Sequence, residues 1–271
     1  MRHSGIIAAL VLSFVLCGHV VPCYPASTSQ YSREYSKNFY RSLSRRLSKN
    51  RADYSRLSDA EFANFREIHT TGIAPGKLFR SSSPISTWGN RNAIADKLSE
   101  LAGIRTFINL TDTNQGMAEH NGYSGSYYSR QKVIGLNVNL KFSGSRFRKG
   151  LARGIHFMAV NEPPYLIHCS LGKDRAGFTC AVVECLMGAS SQEVTADYLV
   201  SFYNYFGILP GSKEYDFVAN AEVRRFLAEA FGVESIDGVN LSEAAERYLL
   251  SIRVSREDIS ALRQKLSPPS E

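Results

Sequence analysis

In the stretch Tyr165-Leu-Ile-His-Cys-Ser-Leu-Gly-Lys-Asp-Arg-Ala-Gly177, an apolar strand pattern runs through a short polar loop into an apolar helix pattern. It predicts a buried strand over 165–168 and a helix beginning near Ala176. Cys169 then lies at a helix N-terminus, where backbone N–H groups converge and the helix dipole is positive. Such surroundings can lower the pKa of a thiol from about 8.5 to roughly 3.5–7.5. We expect one loop both to bind phosphate and to activate Cys169 as a nucleophile.

The spacing within this loop predicts a role for each of its polar residues. Arg175 follows Cys169 after five intervening residues, so a tight loop can fold the guanidinium over a phosphate and hold two oxygens at once. Gly172 supplies the backbone freedom that such a loop needs. Lys173 is expected to add positive charge at the rim. Asp174 can donate or accept a proton, and His168 can position the loop through hydrogen bonds.

Strand patterns and helix patterns alternate along the rest of the chain. Strands are predicted at 77–80, 105–110, 133–140 and 165–168, and helices at 90–102, 147–160, 176–187, 191–206, 213–231, 241–251 and 255–265. Strands separated by helices predict an α/β fold with a mostly parallel central sheet flanked by helices on both faces.

The string His168–Gly177 resembles the signature loop of the protein tyrosine phosphatase superfamily, His-Cys-x5-Arg. Its Gly-Lys-Asp-Arg variant resembles that of a subgroup of bacterial tyrosine and phosphoinositide phosphatases. The strings 76–84 (Gly-Lys-Leu-Phe-Arg-Ser-Ser-Ser-Pro) and 103–110 (Gly-Ile-Arg-Thr-Phe-Ile-Asn-Leu) are similar to the first two strands of that subgroup. The resemblance spans about residues 65–230 and implies a tyrosine-phosphatase-like α/β fold.

This resemblance also implies a mechanism without a metal or cofactor. Cys169 would attack phosphorus to give a phosphocysteine, which water then hydrolyses, while Arg175 and the loop N–H groups stabilise the charge on the phosphoryl oxygens. Related loops usually carry a hydroxyl residue after the arginine that helps the thiolate leave. Ala176 stands there in this chain, so we expect slower turnover of the phosphoenzyme.

The general acid has two candidates, because the chain has no Trp-Pro-Asp string. Asp174 is the first, since relatives in the subgroup place an aspartate there beside the substrate, although it could also be a structural partner of Arg175 or of the loop amides. Asp112, just past the second predicted strand, is the alternative. The predicted catalytic set is Cys169, Arg175, Asp174, Asp112 and His168, and the predicted phosphate-binding set is Ser170, Leu171, Gly172, Lys173, Ala176 and Gly177.

Three functions remain open from the sequence. The first is a phosphatase that acts on phosphotyrosine in proteins or, because Lys173 beside Arg175 suits a polyanion, on phosphoinositides or inositol phosphates. The second is a catalytically weak phosphate-binding module, which Ala176 makes plausible. The third is a redox thiol protein that uses Cys169 with Cys180 or Cys185, and it is the weakest of the three because the chain has no Cys-x-x-Cys pair.

Cys180 and Cys185 are five residues apart. On one helix their side chains would point in different directions, so we expect both to be small buried core residues.

The N-terminus predicts export. Arg2 and His3 precede an apolar run over 5–21, and prolines and small residues follow it. This pattern is typical of a signal peptide over 1–26, with an uncleaved membrane anchor as the alternative. It predicts a secreted or cell-envelope protein. A basic segment over 27–58, rich in Ser, Tyr and Arg, would come next. It could include a short amphipathic helix that contacts an acidic membrane surface; the alternatives are a solvated linker and a helix packed on the domain edge. The phosphatase domain is then 59–271.

Overall composition is that of a globular protein with a basic surface. The net charge is +7, with 44% hydrophobic and 21% charged residues. A basic surface favours anionic partners. No nucleic-acid partner is expected, because the sequence contains no zinc-finger spacing or other known nucleic-acid-binding motif. His69, His120 and His156 lack the spacing of metal ligands and are expected to be ordinary residues.

Overall fold

The structure is a computed structural model that describes residues 30–269. The predicted signal peptide, 1–26, lies outside these residues. The chain divides into an N-terminal unit that ends at Ser42 and a second unit that begins at Leu43. Helix α1 runs over Gln30–Arg46, which confirms the helix predicted within the basic segment. Within 30–269, no helix has the length and apolar character needed to cross a membrane.

In the second unit, strands and helices alternate from β2 to α6, and only helices follow. The elements in chain order are α2 (Asp59–Phe62), β1 (Arg66–Glu67), β2 (Leu78–Ser81), α3 (Asn92–Leu101), β3 (Thr106–Asn109), α4 (Asn114–Met117), β4 (Lys132–Gly135), α5 (Ser145–Val160), β5 (Tyr165–His168), α6 (Asp174–Met187), α7 (Ser191–Phe206), α8 (Lys213–Ala219), α9 (Arg225–Phe231), α10 (Leu241–Ser251) and α11 (Arg256–Leu266). A π-helical turn, Asn220–Arg224, joins α8 to α9.

The five strands form one sheet in the order β1-β2-β5-β3-β4. Only the edge strand β1 is antiparallel, pairing with β2. Strand β5 lies in the centre, where His168 is level with Ser81 of β2 and Asn109 of β3. Because parallel strands end at the same edge, the loops after β2, β3, β4 and β5 meet beside Cys169. The predicted α/β fold is confirmed.

The prediction of a strand over 133–140 was too long. Strand β4 ends at Gly135, and Asn137 has a positive φ of 44°, which an extended strand does not allow. The backbone N–H groups of Leu136 and Val138 instead donate to the carbonyl groups of Asn109 and Leu110. These bonds turn the segment across the end of β3, toward the loop that carries Cys169.

Helix α6 is the buried centre of the helical layers. Every residue from Ala176 to Leu186 is buried, as expected for a helix that is apolar on all sides. It packs against α7 and α10, and the Phe178 ring stacks on that of Phe142 at 4.4 Å between centroids. A helix held on all sides gives the loop at its N-terminus a rigid base.

Candidate active site

Cys169 lies where the sequence predicted it, in the turn between the central strand and the central helix. Strand β5 ends at His168 and α6 begins at Asp174. The Cys169 side chain is nearly buried, with 3% of the residue exposed. We refer to residues 169–175 as the cysteine loop.

The carbonyl groups of four consecutive residues in the cysteine loop, 170–173, are all bonded to groups outside it. Their donors come from the segment before β1, from β2 and the turn after it, and from α7. Ser83 N–H donates to Ser170 O at 3.3 Å, Tyr205 Oη and Asn64 Nδ2 donate to Leu171 O at 2.7 and 3.0 Å, and Arg80 Nη2 donates to Gly172 O and Lys173 O at 2.8 and 3.1 Å.

These bonds also determine the direction of the backbone N–H group that follows each of the four carbonyl groups. In a planar trans peptide the C=O and the following N–H point in opposite directions. The N–H groups of residues 171–174 therefore point into the loop. None of them donates to another group within 30–269, and no side chain caps the N-terminus of α6. Four aligned donors at the positive end of a buried helix form a site for an anion such as phosphate.

Arg175 is held over this site by the neighbouring loops. Its Nη1 donates to Val138 O at 3.2 Å and to Leu110 O at 3.4 Å, and its Nη2 donates to Ser170 Oγ at 3.1 Å. Its Nε is buried and has no partner among the described residues. Nε and Nη2 form one edge of the guanidinium, and such an edge can bind two oxygens of one phosphate.

Gly172 is required by both conformation and space. Its φ is +68°, and a Cβ atom there would lie 2.2 Å from the carbonyl oxygen of Ser81. The cysteine loop therefore packs directly on the end of β2, as only a glycine allows.

His168 supports the loop from the core. It is fully buried, and burial, with further contributions from nearby charged groups, lowers its pKa to about 3. The imidazole is therefore neutral at physiological pH. Its Nε2 lies 3.0 Å from the hydroxyl of Tyr128, which accepts a hydrogen bond from the Asn109 amide at 3.1 Å. The same hydroxyl lies 3.2 Å from Met117 Sδ, to which it donates, so His168 belongs to a buried polar network that also includes Tyr128 and Asn109.

Lys173 does not place a free charge at the rim. Only 12% of its side chain is exposed, and its ammonium forms an ion pair with Asp174 and lies 4.3 Å above the Phe202 ring. Burial opposes the charged form, but the carboxylates of Asp174 and Glu222 hold its pKa above the usual value. The Lys173 side chain is therefore paired and largely buried, and its N–H belongs to the anion site; a contribution of its charge to binding of a polyanion stays a prediction.

The two candidate acids lie on different segments. Asp174 begins α6 and remains 31% exposed despite its ion pair with Lys173. Asp112 follows β3 and is 13% exposed; its carboxylate lies 3.1 Å from His120 Nε2 and accepts from Asn109 at 3.0 Å. Asp174 is therefore the more accessible carboxylate, and Asp112 belongs to the polar network that includes Tyr128 and His168.

Ala176 and Gly177 are buried in the first turn of α6, so neither presents a side chain to an open site. The other thiols, Cys180 and Cys185, are buried and unpaired, as expected. Burial raises the pKa of both thiols, which makes them poor nucleophiles. This disfavours redox chemistry between Cys169 and either residue.

Sequence reasoning missed the residues that orient the loop, namely Asn64, Arg80, Asp197 and Tyr205. Arg80 stood in a quoted string, but its contact with Gly172 joins residues 92 positions apart. A charged residue inside an apolar strand pattern, Leu-Phe-Arg-Ser, was the signal available.

Comparisons with known proteins identify a family. The model of a family described as the tyrosine phosphatase family matches residues 58–267. No curated protein matches the chain. Similar solved structures include the core catalytic domain of the PP-IP phosphatase SIW14 from S. cerevisiae in complex with citrate; it is 16% identical, the match covers 61% of this chain and 91% of that one, and the TM-score is 0.36. Because the family model covers well over half of its length, the chain belongs to the tyrosine phosphatase family and is a cysteine-dependent phosphatase.

Proposed function

We propose that Cys169 is the nucleophile of this phosphatase and that phosphotyrosine in proteins is its substrate. The observation that carries this proposal is the outward orientation of the four carbonyl groups, 170–173, which leaves four N–H groups and Arg175 to bind one phosphoryl group. These donors match the charge that develops on the equatorial oxygens in the transition state.

The reaction takes two steps. The Cys169 thiolate attacks phosphorus, the P–O bond to the leaving group breaks, and a carboxylic acid protonates the departing oxygen. The same carboxylate then takes a proton from water, which attacks phosphorus, and the P–S bond breaks to release phosphate and restore the thiolate.

Asp174 is our first candidate for this acid because it lies on the cysteine loop and is more exposed than Asp112, at 31% against 13% of the side chain. Replacing the acid slows substrates with poor leaving groups more than those with good ones. We therefore expect Asp174→Asn to reduce turnover of phenyl phosphate far more than that of p-nitrophenyl phosphate. If Asp112→Asn shows this difference and Asp174→Asn does not, the acid is Asp112.

Phosphoinositides or inositol phosphates are the second candidate substrates, and Arg146 supports them in addition to Lys173. Arg146 is exposed, and its Nε donates to Asn137 O at 2.7 Å. The next residue, Val138, holds Arg175. An exposed cation close to the phosphate site could bind a further phosphate of such a substrate.

The test is a substrate panel on the purified protein. We expect phosphotyrosine peptide to turn over faster than phosphoinositide or inositol phosphate, and Cys169→Ser to lose all hydrolysis while it still binds phosphate. Turnover of inositol phosphates alone would overturn the protein-substrate proposal. If neither the wild type nor Cys169→Ser hydrolyses any substrate, the chain is instead the weak phosphate-binding module that Ala176 suggests.

We also propose that the protein is exported, with residues 1–26 as its signal, and that α1 contacts an acidic membrane surface. The sequence of residues 1–26 supports export. A mature N-terminus near residue 27 in protein secreted from intact cells would support cleavage, and a retained N-terminus would indicate an anchor.

The membrane contact is supported by Lys37, Arg41 and Arg45. They are exposed, lie on one face of α1 at intervals of four residues, and have no ion pair within the described residues. Basic residues at an anionic bilayer contribute about 1 kcal/mol each. We expect the protein to sediment with phosphatidylserine-containing vesicles but not with phosphatidylcholine vesicles. Lys37→Glu with Arg41→Glu should abolish this, and the same charge change at Lys97 and Arg247 should not.

A further inference from the structure

Arg80 is a buried charged residue that lies beneath the cysteine loop. It belongs to β2, and none of its surface is exposed. Its Nη2 donates to Gly172 O at 2.8 Å and to Lys173 O at 3.1 Å. Arg80 therefore binds the backbone of the loop on the side away from the anion site.

These two contacts help to orient the anion site. When the Gly172 carbonyl points to Arg80, the N–H of Lys173 points the other way, and the Lys173 carbonyl orients the N–H of Asp174 in the same manner. Within the described residues Arg80 is the donor to Gly172 O and so aims the N–H of Lys173, whereas Lys173 O also accepts from the Gly177 N–H at 3.0 Å, so Arg80 shares the orientation of the Asp174 N–H with the first turn of α6.

The arrangement requires an arginine. Its Nη1 also donates to Asp197 Oδ2 at 2.5 Å, so one rigid fork serves two carbonyl groups and one carboxylate. A lysine offers only one nitrogen and cannot reproduce this geometry. Gly177 leaves the space for it, because a Cβ atom there would lie 2.8 Å from Arg80 Nη2.

Asp197 anchors the guanidinium. Its Oδ1 accepts from Arg66 Nε at 2.7 Å, and its backbone carbonyl accepts from Arg66 Nη2 at 2.7 Å. Burial opposes ionisation of Asp197, but Arg66 and Arg80 hold its pKa below the usual value. The side chain is therefore a carboxylate, and it fixes Arg80 to α7.

On the basis of the proposed function, we propose that Arg80 is a positioning residue for phosphate binding and phosphoryl transfer, and that Asp197 holds it in place. Arg80 acts only through the backbone of Gly172 and Lys173 and does not touch the substrate.

The test compares Arg80→Lys with Arg263→Lys, a matched control. Arg263 also pairs with a carboxylate, that of Glu246 at 2.7 Å, and donates to a backbone carbonyl, that of Leu186, but at the opposite end of α6. Titration calorimetry gives the affinity for inorganic phosphate, and alkylation by iodoacetate across a pH series reports the ionisation of Cys169. Circular dichroism verifies the fold of each variant.

We expect Arg80→Lys to bind phosphate about tenfold more weakly, the effect of losing one hydrogen bond to a charged group, because the N–H of Lys173 is no longer aimed at the anion. Its alkylation profile should move to higher pH, and kcat/KM should fall. Arg263→Lys should retain all three properties. Wild-type phosphate affinity in folded Arg80→Lys would overturn the proposal.

If Arg80→Lys does not fold, the same phosphate-binding measurement is made on Asp197→Asn. This variant weakens the ion pair that holds Arg80 but keeps the guanidinium. Weaker phosphate binding by folded Asp197→Asn would support the proposal, and unchanged binding would overturn it. Phosphate binding does not require turnover. A wild type that binds phosphate but hydrolyses nothing would therefore contradict the proposed function and still allow the test of Arg80.

Discussion

Individual side chains around the cysteine loop have titration properties set by their burial. His168 is the clearest case, because burial lowers its pKa to about 3, whereas a histidine in an unfolded chain titrates near 6.5. Burial also disfavours the charged form of Tyr128, which raises the pKa of its hydroxyl. The two form a neutral pair that supports the loop without adding a charge beside Cys169.

This property predicts a loss of stability in acid. Between pH values of about 6.5 and 3, the unfolded state binds a proton that the folded state does not, so the free energy of unfolding falls as the pH falls, by at most about 1.4 kcal/mol per pH unit. Urea unfolding at several pH values measures this. The slope should be smaller in His168→Gln, and equal slopes in the two proteins would contradict the assignment.

At the scale of elements, the cysteine loop is defined by how closely it packs on β2. The local string 165–177 predicted the strand, the loop and the helix, because each of these depends on neighbouring residues. It could not predict the donors from Asn64, Arg80 and Tyr205, which reach the loop from distant parts of the chain. The two-residue strand β1 was also missed, since two residues carry no periodic pattern.

The close packing predicts that Gly172→Ala separates the loop from β2. Its Cβ atom would lie 2.2 Å from Ser81 O, so the loop must move, and misplacement of catalytic groups by about 1 Å can reduce activity about 100-fold. Gly188→Ala is the matched control. Gly188 also has a positive φ, +100°, but lies at the other end of α6, where nothing is within 4 Å of the added Cβ. It should lose stability, by roughly 1 kcal/mol, and keep its activity.

Kinetic assays and thermal unfolding of both variants measure these effects. Equal activity losses in Gly172→Ala and Gly188→Ala would show that backbone strain, and not the contact with β2, is responsible.

At the scale of the molecule, a buried group of charges joins the sheet to the helices. Arg66 and Arg80 come from β1 and β2, Asp197 from α7 and Glu184 from α6. Burial, together with the nearby Asp197, raises the pKa of Glu184 well above its usual range, and neither of its carboxyl oxygens has a partner among the described residues. With Glu184 neutral, two guanidinium groups and one carboxylate leave a net positive charge beneath the cysteine loop.

Glu184 should therefore reduce stability as the pH rises. Above the pKa of the unfolded state, about 4.3, the unfolded chain releases a proton that the folded protein retains, so the free energy of unfolding falls with pH, by at most about 1.4 kcal/mol per unit. Glu184→Gln removes this effect. Urea unfolding from mildly acidic to mildly alkaline pH should show the variant gaining stability relative to the wild type. A constant difference would mean that Glu184 is ionised in the folded protein.

The four outward carbonyl groups have a consequence for selectivity. Since protein atoms already hold these carbonyl groups, the N–H groups that face the anion are oriented before a ligand binds, and little ordering is required on binding. Sulfate and vanadate have the same tetrahedral shape as phosphate and should compete for this site. Discrimination between natural substrates must therefore arise from surfaces that contact the rest of the substrate molecule.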